Sequence, residues 1–237
     1  MNGLSLRGRA LYIDDAATLV VTDLHVGRDE SSNVELPLGE RSDLRERLTE
    51  HLDYFRPKTV VFAGDSIHAH GTASATSIER IRKLAEACRE RRADPVFVAG
   101  NHDGTVGQLP NDVHEEYAVG QGDDASTDSR TVVCHGHEPP AMDADRYVVG
   151  HDHPTIEIEG VRHPCVLFGP GAYRGADVVM LPAFSRLAPG VVVNEMRSDA
   201  FQSPLVTEAD AFRPIVYDED AAATLEFPPL GEFRGLL

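Results

Sequence analysis

Three runs, Ala17–Thr22 (ATLVVT), Lys58–Ala63 (KTVVFA) and Pro95–Ala99 (PVFVA), are followed at once by Asp23-Leu24-His25, Gly64-Asp65-Ser66-Ile67-His68 and Gly100-Asn101-His102-Asp103. Short runs rich in β-branched residues, apolar on both faces, predict buried parallel strands. Between them, Ser42–Phe55 places Leu44, Leu48, Leu52 and Phe55 at three- and four-residue spacing, and Ser77–Arg91 does the same with Ile78, Ile81, Leu84, Ala85 and Cys88. That period predicts amphipathic helices linking the strands. After Asn101 the pattern changes to closely spaced strands at Arg130–Cys134, Arg146–Gly150, Thr155–Ile158, Val166–Phe168, Asp177–Leu181 and Gly190–Asn194. A βαβ front half followed by a strand-rich back half predicts one α/β unit of two packed sheets with helices outside. Gly120–Arg130 reads as a polar surface loop, and the proline- and acid-bearing tail from about Ser198 as a loosely packed extension.

Composition narrows the setting. The 237 residues carry 39 acidic and 22 basic side chains, a net charge of −17, and the only lysines are Lys58 and Lys83. A surface this acidic repels a phosphate backbone, which weakens the case for nucleic acid as a long polyanion without removing it. A carboxylate-rich, lysine-poor surface fits a salty cytoplasm, where salt screens its self-repulsion, and so points to a halophilic archaeon. No stretch approaches the roughly 18 apolar residues that span a bilayer, and no leader-like start is seen, so a cytoplasmic protein with no membrane partner is expected. Cys88, Cys134 and Cys165 have neither paired nor metal-finger spacing and read as structural.

Polar residues set directly after buried strands are where an open α/β sheet presents a ligand site. Two further junctions join the first three: His135-Gly136-His137 after Val132-Val133-Cys134, and Gly150-His151-Asp152-His153 after Val148-Val149. Each motif alone is weak, because Asp-x-His and Asn-His-Asp occur as ordinary caps and turns. Seven of the eleven histidines fall in these five junctions, however, and a random surface distribution would not gather them so. Carboxylate, imidazole and carboxamide together make a donor set for divalent cations. If strand geometry continues past Thr22, Asp23 and His25 point to one face and can share an ion.

The ordered set D-x-H, G-D-x-x-H, G-N-H-D, H-G-H and G-H-x-H, spanning Asp23 to His153, resembles the calcineurin-like metallophosphoesterase superfamily. The resemblance implies a four-layer αββα sandwich of two mixed sheets flanked by helices. It also implies a metallophosphoesterase domain over residues 1–197, with 198–237 as a C-terminal extension packed on or trailing from it. By the same resemblance Asp23, His25, Asp65 and His153 hold one metal and Asp65, Asn101, His135 and His151 the other, Asp65 bridging. His102 acts on the substrate, and catalysis rests on His102 and Asp65. Two cations roughly 3.5–4 Å apart can share a water, lower its pKa and aim it at phosphorus, so the implied reaction is phosphodiester hydrolysis by a metal-bridging hydroxide, on nucleotides or nucleic-acid ends.

Around the motifs, Leu19–Glu30, Glu35–Leu48, Gly64–Gly71, His135–Pro140, Gly150–Ile156 and Val178–Phe184 resemble the ligase-associated, PdeM-like branch and its archaeal relatives. That branch carries an association with DNA repair, with partners encoded elsewhere, and its relatives admit a homodimer. His68 and Arg28 are carried as substrate contacts, with an exposed or supporting histidine and a pairing of Arg28 with Asp29 or Glu30 as the alternatives. His137 is expected beside the metals rather than on them, His70 in a loop, and His163 as structural. The two cations are expected to be Mn²⁺, with Fe, Zn, Ni and Co admitted by the same donors. Two other readings stay open: a phosphomonoesterase acting on protein or metabolite, and a non-catalytic scaffold on the same fold.

Overall fold

The computed structural model describes residues 3–28, 40–68 (side chains from 43), 73–101, 113–120 and 129–235. In the first sheet β1 (Leu4–Arg7), β2 (Ala10–Ile13), β3 (Thr18–Thr22), β4 (Thr59–Ala63), β5 (Asp94–Val98) and β6 (Val113–His114) lie in sequence order. The first three pair antiparallel and β3 to β6 pair parallel. Helices α1 (Glu40–Phe55) and α2 (Ala75–Glu90) connect the parallel strands. Their apolar stripes bury Leu44, Leu48 and Leu52, and Ile81, Leu84 and Cys88. Helix α2 starts where the Ser74 hydroxyl accepts the Ser77 N–H at 3.0 Å, a cap that contributes about 1 kcal/mol.

The second sheet contains β7 (Glu116–Ala118), β8 (Thr131–Cys134), β9 (Arg146–Val149), β10 (Pro154–Ile158), β11 (Val161–Tyr173), β12 (Ala176–Met180) and β13 (Val191–Val192), in the order β13-β10-β11-β12-β9-β8-β7. Strands β8, β9 and β12 are parallel neighbours. A hairpin of β14 (Arg213–Asp218) and β15 (Ala223–Glu226) adds to β11, and a short helix α3 (Leu230–Phe233) follows.

Strand alternation sorts the core into three layers. Val20, Val61 and Val98 from the first sheet meet Val133, Val148 and Val179 from the second. Leu19, Val21, Val60 and Phe62, one residue out of step, pack under the helices. Val132, Tyr147, Val149, Val178 and Met180 face the opposite way, toward Phe201, Leu205, Phe212, Leu230 and Phe233. The result is a sandwich of two mixed sheets. Its second outer layer consists, among the described residues, of the C-terminal segment with short 3-10 turns and α3 rather than long helices. The expected loose packing of the tail is therefore corrected: Leu205, Phe212 and Leu230 are fully buried, and β14 is paired along its length. Pro204 sits in a turn, Pro214 beside the start of β14 and Pro229 just ahead of α3, where a missing N–H is tolerated.

All three cysteines are buried and free, and burial pushes the Cys88 and Cys134 thiols up to about 12, in keeping with inert packing roles. No described helix is long and apolar enough to cross a membrane.

A titratable group lies buried under α1. His51 packs beside Phe55 and Phe184, and its Nδ1 has no hydrogen-bond partner. Burial, helped by the positive charges of Arg7 and Arg47, lowers its pKa to about 4. The folded pKa lies below the unfolded one, so the unfolded chain takes up the proton first. The neutral-His51 contribution is complete above the unfolded pKa near 6.5 and is lost as pH falls toward 4, by about 2–3 kcal/mol at pH 4.5. Chemical denaturation of His51→Leu at pH 7 and pH 4.5 should show the acid loss shrink by that amount; an unchanged loss would exclude His51 as its source.

Candidate metal centre

All five predicted junctions lie at the C-terminal ends of β3, β4, β5, β8 and β9, so two sheets bring their strand ends to one place. The loops after β3 and β4 prolong the ladder: His25 N–H donates to Asp65 O at 2.9 Å, Val26 N–H to Ser66 O at 3.0 Å, and His68 N–H to Val26 O at 3.0 Å. Strand geometry nevertheless stops at Thr22, which corrects the expectation of a continued pleat. Asp23, His25 and Asp65 have φ of +53°, +46° and +41°, and His151 and His153 have +74° and +47°. Left-handed backbone at a non-glycine residue costs about 1–3 kcal/mol and persists where surrounding contacts enforce it, which is characteristic of functional sites.

The side chains converge in two groups. In the first, His153 Nε2 lies 3.1 Å from Asp23 Oδ1 and 3.3 Å from His25 Nε2. In the second, His135 Nε2 lies 2.9 Å from Asn101 Oδ1, 3.2 Å from His151 Nδ1 and 3.6 Å from Asp65 Oδ1. Asp23 touches both, since its Oδ1 is also 3.7 Å from His135 Nδ1. Asp23, His25 and His153 can close around one ion, as can Asp23, Asp65 and His135. Sequence reading gave the shared position to Asp65; in the side-chain geometry Asp23 belongs to both triads and Asp65 to one, although Asp65 also attracts the charge of His153.

Close approach explains the glycines ahead of the motifs. A Cβ on Gly64 would overlap the His135 ring, one on Gly100 the Asp65 carboxylate, and one on Gly150 the Asp23 carboxylate. Each glycine makes room for a candidate ligand from another strand. Asp23, His25, Asp65 and His135 form a buried floor, while His151 and His153 are partly exposed and Asn101 is exposed.

The protonation states suit a cation. Burial lowers His25 to about 3 and His135 to about 4, which leaves both rings neutral with a free lone pair at pH 7. Burial would raise the Asp23 carboxyl, but the charge and hydrogen bond of His153, with His135 and His25 behind, hold it below the ordinary carboxylate range. Burial likewise opposes protonation of His153, and Asp23 beside it outweighs this and raises its pKa. A buried carboxylate against two near-touching imidazole nitrogens is a donor set that fits a divalent ion.

Around this centre, the His68 ring is 5.6 Å from that of His25, and the positive charge of Arg28 bears on both His25 and His153. His137 stands 5.2 Å from the His135 ring and 6.0 Å from that of His151. His163 pairs with Ile156 in the β10–β11 ladder. His70, His102 and Asp103 lie outside the described residues. Sequence reading passed over Asp152, which is buried and accepts the N–H groups of Gln202 at 2.9 Å and Ser203 at 3.0 Å. A charged residue between two candidate ligands was the only local signal, and its partners lie fifty residues away.

A family profile described as Calcineurin-like phosphoesterase matches residues 17–180. Among solved structures, the nuclease MPE of Pseudomonas putida superposes with a TM-score of 0.59 at 20% identity, covering 92% of this chain and 91% of that one. YfcE, a phosphoesterase from E. coli, gives 0.44 at 17% identity over 90% and 98%. No curated protein sequence matches the chain.

Proposed function

Because the chain belongs to the calcineurin-like phosphoesterase family and so is a metal-dependent phosphoesterase, we propose that it uses two divalent ions to hydrolyse phosphodiester bonds of nucleotides or nucleic-acid ends. The observation that carries this reading is the convergence of seven ligand-type side chains from two sheets into adjoining groups that share buried Asp23. Asp23, His25, Asp65 and His153 would hold one ion and Asp65, Asn101, His135 and His151 the other, with Asp23 near enough to His135 to bear on both. Such ions, when bound, supply a water of lowered pKa and neutralise charge on the phosphoryl oxygens.

The chain's own contributions follow from position. Asp23 and Asp65 set the negative charge of the floor, and neutral His25 and His135 present lone pairs without adding charge. Partly exposed Arg28 and His68, on the His25 side, would receive a phosphate oxygen, a reading supported by the 5.6 Å between the His25 and His68 rings. His102 is proposed as the group that protonates the leaving oxygen, by its place after Asn101 in the motif. The nuclease among the fold neighbours gives the diester reading its direction. The net charge of −17 favours small nucleotides and strand ends over long duplex, through repulsion of a polyanion. The same reading takes Mn²⁺ as the metal, the salt-rich cytoplasm of a halophilic archaeon as the setting, and DNA repair as the process, as in the PdeM-like branch.

The test compares rates at high salt with Mn²⁺ on bis-p-nitrophenyl phosphate, p-nitrophenyl phosphate, 2′,3′-cyclic nucleotides and single-stranded DNA. Diesters are expected to be preferred. A monoester preference of about a hundredfold, about 3 kcal/mol in transition-state binding, would overturn the substrate class.

A further inference from the structure

The segment after the family-matched residues reaches back to the candidate centre, and one of its contacts falls on a side chain set between two candidate ligands. Within Gly150–His153, the Asp152 N–H donates to Gly150 O at 3.0 Å across His151, whose φ is +74°. This is a γ-turn of the strained, positive-φ kind. It sends His151 toward His135 and, two residues on, His153 toward Asp23 and His25. Such a turn persists only where its surroundings hold it. Its first edge is held by the His151 N–H on Asp23 Oδ2 at 3.2 Å, and its last by the Val191 N–H on His153 O at 3.0 Å. Its middle is held by Asp152, whose two carboxylate oxygens accept the N–H groups of Gln202 and Ser203 separately, at 2.9 and 3.0 Å. Those donors open a proline turn, Ser203-Pro204-Leu205-Val206, closed by the Val206 N–H on Ser203 O at 3.2 Å. Leu205 and Val206 anchor that turn in the core, at 0% and 4% exposure.

We infer that the Gln202–Val206 turn is a positioning element of the metal centre, acting through Asp152 to fix the divergent aim of His151 and His153. The inference rests on the reading of those histidines as ligands. Asp152 is a positioning residue: its carboxylate is spent on backbone donors and leaves the two imidazoles to the ions. Groups of this kind typically tune metal affinity by roughly 10–100-fold.

The test titrates Mn²⁺ alone into chelator-stripped, folded protein by calorimetry at high salt. Asp152→Asn, which turns an N–H donor toward an amide nitrogen, and Gln202→Pro, which deletes one donor, are expected to weaken Mn²⁺ binding tenfold or more. Gln202→Ala keeps the backbone donor and is expected to bind as the parent does. Asp152→Asn leaves the turn's own sequence untouched, so the comparison stands on it if Gln202→Pro fails to fold. Parental affinity in Asp152→Asn beside a tight-binding parent would overturn the positioning role alone. Absence of Mn²⁺ binding by the unmodified protein would overturn the ligand assignment and this role with it.

Discussion

Asp23→Asn is expected to reduce Mn²⁺-dependent hydrolysis of bis-p-nitrophenyl phosphate by about a thousandfold or more, equivalent to about 4 kcal/mol of transition-state stabilisation. Asp23 is 0% exposed, reaches His153 at 3.1 Å and His135 at 3.7 Å, and is the carboxylate common to both candidate triads. The amide keeps the shape and one oxygen for the His151 N–H but removes the charge that a divalent cation needs from a buried ligand. Folding should survive, because the amide has the shape of the carboxylate and can still meet the His151 N–H and the His153 ring. Initial rates with excess Mn²⁺, alongside circular dichroism, check this. A folded variant within tenfold of the parent would remove Asp23 from the reaction.

Gly64→Ala should do comparable damage from a position with no functional group. Gly64 holds φ +79°, and the added methyl would occupy the space of the His135 ring. Its neighbours leave little choice of response, since Gly64 N–H is bonded to Val98 O and Gly64 O to the Asp23 N–H. Either the turn after β4 shifts, taking Asp65 with it, or His135 withdraws from Asn101 and His151. A displacement near 1 Å at a reacting centre lowers turnover by about a hundredfold, and left-handed backbone at alanine adds about 1 kcal/mol of instability. Activity and thermal midpoint should therefore both fall. Retention of more than a tenth of parental turnover would mean that His135 is not held where this geometry places it.

The parallel strands and both long helices were legible because their signals are local. Val-rich runs before β-turn residues, and leucines at helical spacing, need no knowledge of the rest of the chain. The hairpin β1–β2 was not read, since strands of four residues carry too few alternations to separate from loop. Strand β14 was hidden by Pro214 and by an acidic neighbourhood that reads as solvated tail. The ligand-type residues were visible as a pattern, and the structure brings Asp23, His25, Asp65, Asn101, His135, His151 and His153 together. What the pattern could not contain was the route. Left-handed turns at five of these positions, the glycines that yield space across strands, and the hold of Gln202 and Ser203 on Asp152 are all consequences of two sheets meeting.

The most direct measurement is the Mn²⁺ stoichiometry of the chelator-stripped protein at high salt, read by calorimetry together with the turnover recovered at each addition. Two ions per chain are expected, with diester hydrolysis rising as the second site fills and lost again on chelation. A folded chain that binds no Mn²⁺, or one whose hydrolysis is undiminished by chelation, would contradict a two-metal phosphoesterase.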